Sequence, residues 1–478
     1  MVKILGPNDR SPRPDRHHDY MDYRGVAEER EVKDLYNGVV SLGRYLHPHG
    51  KQGRELFMPV EILKRHSAVI GRTGAGKTEG IIIPWVIGLL KSGYSVVTVD
   101  VVGNLVNRLS NEAKKLGCRV WYWDSGNPTY SDSWNWLNEI SLSDDNDVEE
   151  AIYSILGRPN PNDPQRFFYE RNVRWLRALI PIVKKVYTYN AKPSNLQRIV
   201  IDQNALRNLF RQYPQIQKYD INLGDLFAFS SNEHSRAVSE LLNPLDVFTK
   251  DSVIHISERN DFLLSDIDTR PTLLILGYTP KNHQSAQLTS LILNQLFNHV
   301  SRRSKGKVGK RLPLYFVIDE ASSLQDKIAY EEVLATARNA DVGICLAVQD
   351  ITQFGDERKA TEVLSNCNTI IATKGVTDKV ADYLSRQMGL RREQQIRVTQ
   401  QRTLADDFRD IDRGNSFFGV VLGSMFSPPT AVDTVEVPVL GSREIMHPPV
   451  GHYPAVVLSS PVTNKPFIVD LDTAVRNI

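Results

Sequence analysis

The apolar run Ala68-Val69-Ile70 leads straight into Gly71-Arg72-Thr73-Gly74-Ala75-Gly76-Lys77-Thr78, and a second apolar run, Ile81 to Leu90, follows it. A strand, a Gly-x-x-x-x-Gly-Lys-Thr loop and a helix in that order constrain the fold more than any other part of the chain. Glycines 71, 74 and 76 let the backbone turn tightly, so that successive N–H groups face phosphate oxygens at a helix N-terminus. The whole loop, Gly71, Arg72, Thr73, Gly74, Ala75, Gly76, Lys77 and Thr78, is expected to hold a nucleoside triphosphate. Lys77 would reach the β- and γ-phosphates and the Thr78 hydroxyl would ligate Mg²⁺.

At 478 residues the chain is too long for one compact core and implies two or three domains. Lys and Arg number 58 against 56 Asp and Glu, a net charge of +2, so overall charge gives no argument for a nucleic-acid partner. Any such contact must come from local patches. Cys118, Cys345 and Cys367 lie far apart with no Cys-x-x-Cys spacing, which suits a reducing compartment and argues against a zinc module. Met1 to Arg16 is polar and proline-containing, unlike a signal peptide or anchor. The most apolar stretch, Ile81 to Leu90, contains Pro84 and falls far short of the roughly 20 residues that span a bilayer. A soluble, cytoplasmic chain without a transmembrane segment is the expectation.

Residues 1–37 read as a polar N-terminal arm, without a sustained apolar period up to about residue 35. His17, His18, His47 and His49 fall in or near it, and histidines in polar loops are more often solvated than metal-bound. Val39 to Leu46 and Glu55 to Pro59 read as short strands of a small β platform. Further strands are expected at Ser95–Val99, Arg119–Trp123, Thr272–Gly277, Leu314–Ile318, Gly343–Val348 and Thr369–Ala372. Most are continuous apolar runs, the pattern of strands buried on both faces of a parallel sheet. The fold class is therefore α/β, a RecA-like P-loop core with a mainly parallel sheet. Between Trp123 and Thr272 the pattern changes to helical spacing, at Val148–Leu156, Arg166–Tyr187, Asn204–Gln212 and Ser235–Leu245. The domains expected are the arm 1–37, a motor core of 38–144 and 263–478, and an inserted all-α domain 145–262.

Leu314-Tyr315-Phe316-Val317-Ile318 runs into Asp319-Glu320. A carboxylate at the tip of a buried strand is placed to hold Mg²⁺, and the adjacent one to orient and deprotonate an attacking water. Asp319 is thus a metal-site candidate with Thr78, and Glu320 the candidate general base, which implies hydrolysis as well as binding. Gln349 ends the Gly343–Val348 strand, on the rim where ligands collect in open α/β sheets, and a glutamine there can bond a γ-phosphate or the lytic water. Arg338, in the helix Ala329–Asn339, is expected near the same rim. It could serve a neighbouring subunit as a finger on the transferring phosphoryl group, or be a surface arginine of an amphipathic helix.

Taken together, Gly71–Thr78, Glu79-Gly80-Ile81-Ile82-Ile83-Pro84 and Val97-Thr98-Val99-Asp100 resemble the type IV coupling proteins (the TraD/TraG/VirD4 group) of the FtsK/HerA superfamily. Ser133-Trp134-Asn135-Trp136-Leu137 looks like that family's Asn-Pro-Leu segment, with Trp136 in place of proline. Phe316–Glu320, Ala337-Arg338, Val348-Gln349, Asn366-Cys367-Asn368 and the tail from Val437 to Ile445 follow the family's order over about residues 38 to 460. The resemblance implies Arg338 as a trans-acting arginine, Gln349 as a sensor, six subunits in a ring, ATP at the interfaces and DNA in the channel. It also implies a relaxase or secretion-apparatus partner. Two departures stand out. The family's usual pair of transmembrane helices has no counterpart in the sequence, and its Asp-Pro-Lys-Gly-Glu segment reads Asp100-Val101-Val102-Gly103-Asn104.

Two basic stretches are candidates for phosphate contacts. Arg302 to Arg311 precedes the Asp319 strand and reads as a solvated loop at the far end of the sheet. Arg386, Arg391, Arg392, Arg397 and Arg402 fall in a polar helix or loop. Three functions fit these residues: an ATP-driven DNA translocase of the coupling-protein kind, a soluble HerA-like motor in DNA processing or phage defence, and an ATP-gated adaptor that recruits protein cargo without moving DNA.

Overall fold

The computed structural model describes residues 23–101, 103–159, 164–279, 282–306, 311–397 and 431–471. The strands are β1 (Val40–Leu46), β2 (Gln52–Met58), β3 (Ser67–Ile70), β4 (Ser95–Asp100), β5 (Arg119–Trp123), β6 (Thr272–Gly277), β7 (Leu314–Ile318), β8 (Gly343–Val348), β9 (Thr369–Thr373), β10 (Leu390–Arg397), β11 (Ala431–Pro438), β12 (Pro454–Ser459) and β13 (Phe467–Asp470). One sheet has eleven strands in the order β2-β1-β13-β12-β9-β3-β8-β7-β4-β6-β5. From β9 to β5 every neighbouring pair is parallel. Strands β3, β4, β7, β8 and β9 are buried along their whole length, as continuous apolar runs require when helices cover both faces. Parallel strands need crossovers, and the helices between them supply these.

The other edge is antiparallel. β12 pairs with β9, β13 with β12, β1 with β13 and β2 with β1. The 39–46 and 55–59 strands are therefore no separate platform: the chain's C-terminal strands join them to the central sheet. Part of the expected polar arm is also built into this core. A 3₁₀ helix, Glu29–Tyr36, buries Val32 and Leu35, and the Tyr45 hydroxyl donates to Ala27 O at 2.7 Å. Those two apolar residues, three apart, suffice for one buried face of a 3₁₀ helix. His17 and His18 lie outside the described residues. His47 pairs with Glu29 at 3.3 Å, and among the described residues no cluster of His, Cys, Asp or Glu is arranged to hold a metal ion.

Between β5 and β6 the described residues contain helices and no strand, from Trp136–Glu139 through Asp145–Leu156 and Arg166–Tyr187 to Asp251–Ser257. Asn135 caps the first of these, its Oδ1 accepting from Leu137 N at 3.1 Å and its Nδ2 donating to Ala191 O at 2.8 Å. The basic run that begins in the last turn of helix His283–Ser304 departs from its expected solvated state at Arg302 and Arg303. Arg303 is 1 % exposed and pairs with Asp268, and Arg302 pairs with the buried Asp147 at 2.6 Å. Lys307–Lys310 lies outside the described residues.

Contacts divide the chain into two compact units: the described residues of Ala27–Thr377 with His447–Ile478, and those of Met1–Val26 with Asp378–Met446. The described residues of 145–262 fall in the unit that holds the eleven-stranded sheet, and those of 378–446 in the other. In the smaller unit β10 and β11 pair antiparallel, from Leu390 opposite Pro438 to Arg397 opposite Ala431. The second basic group is thus a strand rather than a polar helix or loop at Arg391, Arg392 and Arg397. Arg386 sits in the helix Asp378–Met388, and Arg402 lies outside the described residues. Arg24 and Arg391 each lie 2.8 Å from the buried Glu393.

Candidate functional site

The C-terminal ends of β3, β8, β7 and β4 share one rim because these strands are parallel neighbours. The Gly71–Thr78 loop rises from β3 at this rim, tied to β8 by Gly71 N donating to Val348 O at 3.1 Å. Gly74 (φ +78°) and Gly76 (φ +85°) adopt the left-handed conformation that disfavours any side chain. Gly71 answers a different demand: a Cβ there would lie 1.8 Å from Thr373 Oγ1 on β9. After the loop the chain makes a π-helical turn, Thr78–Ile82, and then the helix Ile83–Lys91. Pro84, which has no N–H to donate, falls in the first turn of that helix, where none is required.

Lys77 is buried and its ammonium donates to Gly71 O, with Arg72 O at 3.4 Å. Burial lowers its pKa, while the facing Asp319 and Glu320 oppose that shift. Asp319 stands at the tip of β7, half-buried, and its Oδ1 accepts from Glu320 N at 3.0 Å. Burial and the neighbouring Glu320 push its carboxyl up to about 6, against the pull of Lys77. Glu320 itself is held at φ +49°, ψ +40°, a conformation that costs a non-glycine residue about 1–2 kcal/mol. Gln349, at the end of β8, donates from Nε2 to Glu320 Oε1 at 2.8 Å.

A cleft of about 320 Å³ runs between the loop and these carboxylates. Arg72, Thr73, Gly74, Gly76, Lys77 and Thr78 line one wall, Asp319 and Glu320 another. The cradle fits a triphosphate and Mg²⁺: two left-handed glycines, a buried ammonium whose hydrogen bonds among the described residues go to its own loop's carbonyls, and a half-buried carboxylate that faces it. Asp100, at the end of β4, also lines the cleft, but its carboxylate caps the helix Leu105–Lys115 by accepting from Gly103, Leu105 and Val106 N–H groups at 2.9, 2.8 and 3.1 Å. The acid that remains of the Asp-x-x-Gly segment is thereby committed to structure.

Arg338 is not brought to this rim. It is exposed at the C-terminal end of helix Tyr330–Asn339, just before the turn that enters β8 at its start. Its charge is felt there by His66, at the foot of β3. His66 ties that end together: Nε2 donates to Leu334 O at 2.9 Å and Nδ1 accepts from Ile344 N at 3.2 Å. A helix that packs back along the sheet necessarily ends at the strands' opposite edge. Tyr453 is a cleft residue with no sequence signal. It arrives just ahead of β12, and its ring would abut a Cβ on Gly76 at 2.7 Å.

The model of the family described as type IV secretory system conjugative DNA transfer matches residues 21–411. No curated protein sequence matches the chain. Among solved structures, the chain is similar to the bacterial conjugative coupling protein TrwBdeltaN70 in its unbound monoclinic form, with 16 % identity, a TM-score of 0.63, and 93 % of this chain and 92 % of that chain covered. It is similar to the plasmid coupling protein TrwB in complex with ADP and Mg²⁺ to the same degree. Against TrwB in complex with the non-hydrolysable GTP analogue GDPNP the TM-score is 0.62 at 16 % identity, over 95 % of this chain and 96 % of that one. At such identity the structures speak for the fold, a RecA-like P-loop core with a helical domain, and no helix among the described residues is long and apolar enough to cross a membrane. With its family model matching most of its length, the chain belongs to the type IV secretory system conjugative DNA transfer family.

Proposed function

We propose that the chain is an ATP-hydrolysing motor that moves DNA in conjugative transfer and works as a hexameric ring, the arrangement called for by a site that an arginine of a neighbouring subunit completes. The observation that carries this reading is the meeting of Lys77, Asp319 and Glu320 on one cleft, with Gln349 hydrogen-bonded to Glu320. Lys77 would exchange its loop carbonyls for phosphate oxygens, and Thr78 and Asp319 would hold Mg²⁺, which when bound neutralises phosphate charge. Glu320 would take the proton of the attacking water, and Gln349, now on the Glu320 carboxylate, would release it as the site fills. Arg338 lies at the opposite rim of its own sheet, so a role on the phosphoryl group requires a neighbouring subunit. TrwB, crystallised with ADP and Mg²⁺ and with the ATP analogue ADPNP, supports the choice of ligand.

The test is ATP turnover by the purified chain with and without single- and double-stranded DNA. A several-fold rise with DNA, lost in Glu320→Gln, is the expected result. Turnover indifferent to any DNA would instead favour an ATP-gated adaptor for protein cargo.

A further inference from the structure

Gln353 lies four residues beyond Gln349, in a 3₁₀ turn, Ile351–Phe354, that the motifs leave without a task. Its side-chain oxygen gathers three donors: Gln349 N and Asp350 N, each at 3.2 Å, and Ser322 Oγ at 3.1 Å. Two of these are backbone N–H groups that can only donate, so the amide must present its carbonyl and not its NH₂ to them. Asp350 N belongs to an ordinary capping box of the turn, with Asp350 as cap. The other two contacts do not. Gln349 carries the amide that holds Glu320, and Ser322 stands in the turn Ala321–Leu324 that follows Glu320. One oxygen thus pins the two segments whose side chains meet at the Glu320–Gln349 hydrogen bond.

We propose that Gln353 is a positioning residue for hydrolysis: it fixes the end of β8 against the turn after β7, and so sets Gln349 in register with the Glu320 carboxylate. The inference rests on the hydrolytic reading of that site. Three donors exceed the two lone pairs of a neutral carbonyl, which accords with contacts of 3.1–3.2 Å rather than shorter ones. A carboxylate would serve the same donors at least as well.

The experiment compares steady-state ATP turnover, KM and melting temperature for wild type, Gln353→Met, Gln353→Glu and Ser322→Ala. Gln353→Met keeps the side-chain length and removes the acceptor; it is expected to lower kcat by about 10-fold or more with KM within about twofold, the signature of an interaction that matters after binding. Gln353→Glu is expected to recover most of that loss. Ser322→Ala, which removes a single donor, keeps the inference testable should Gln353→Met fail to fold, and is expected to lower kcat by about 3-fold or more at unchanged KM. In a Gln349→Ala background the Gln353→Met effect is expected to shrink to about twofold or less, since coupled residues are non-additive. Full additivity with Gln349→Ala, or a loss confined to melting temperature, overturns the proposal in favour of a plain turn cap. Failure of the underlying reading looks different: wild type itself would not hydrolyse ATP, or Glu320→Gln would hydrolyse it at the wild-type rate.

Discussion

Gln349 Nε2 donates to Glu320 Oε1 at 2.8 Å, so the end of one buried strand restrains the acid that follows another. Glu320→Gln is expected to keep nucleotide affinity within a few-fold while turnover falls by about 10²–10⁴, the usual worth of a general base. Gln349→Ala is expected to lower kcat with little change in nucleotide affinity. Equilibrium binding of a fluorescent ATP analogue and steady-state turnover separate the two effects.

The raised pKa of Asp319 gives the site a pH dependence. Folded Asp319 keeps its proton up to about 6, whereas an unconstrained aspartate releases it near 3.8. Between those values the folded state binds more protons, so this group makes stability fall as pH rises through the window. His66 acts in the opposite sense: burial lowers its imidazole from 6.5 to about 4, so stability falls as pH drops through that range. Asp319→Asn is therefore expected to raise the melting temperature at pH 8, with a gain of at most about 3 kcal/mol at ~1.36 kcal/mol per unit, and with the gain vanishing toward about pH 4. Mg²⁺-dependent nucleotide binding by the wild type is expected to weaken below about pH 6. Thermal melts and binding isotherms over pH 4–8 check both.

Gly71 is required by Thr373 rather than by its backbone angle. Gly71→Ala drives a methyl group into Thr373 Oγ1 and is expected to destabilise the chain by about 1–3 kcal/mol and to abolish nucleotide binding. Thr373→Ala in the same chain is expected to restore most of both. A urea-unfolding double-mutant cycle measures the coupling, and additivity would rule out the contact as the cause.

Arg338 is exposed and far from its own loop along the strands, so its effect should need a second subunit. Arg338→Ala is expected to leave nucleotide affinity within about twofold and to lower turnover by about 10³. Mixing it with Lys77→Ala subunits is expected to recover measurable turnover, because the two defects then fall in different sites. No recovery at any mixing ratio would count against the trans role.

Arg302 and Arg303 serve the interior. Arg303→Met leaves Asp268 buried without its guanidinium and is expected to cost about 3–5 kcal/mol in urea unfolding. Arg302→Gln is expected to leave the slope of log affinity for DNA against log salt unchanged, since a side chain paired with Asp147 neutralises no phosphate.

The loop, the parallel strands and the order of the elements are legible in the amino-acid sequence. Apolar runs such as Leu314–Ile318 and left-handed glycines such as Gly74 and Gly76 are local properties, set by burial and backbone sterics over a few residues. Helical spacing likewise marked Arg166–Tyr187 to its ends. Relationships between distant segments emerge only in the folded chain. The short run Phe467–Asp470 carries nothing that names its partners, and the sheet alone seats it between β1 and β12. Tyr453 enters the cleft and Gln353 meets Ser322 through chain reversals that no local period encodes. Arg303 looked like solvated charge until Asp268 supplied a buried partner, and Arg338 looked like a rim residue until the direction of its helix placed it at the other edge. Pairing partners and the burial of a charge depend on contacts made across the whole fold, which is why they surface only when the chain is folded.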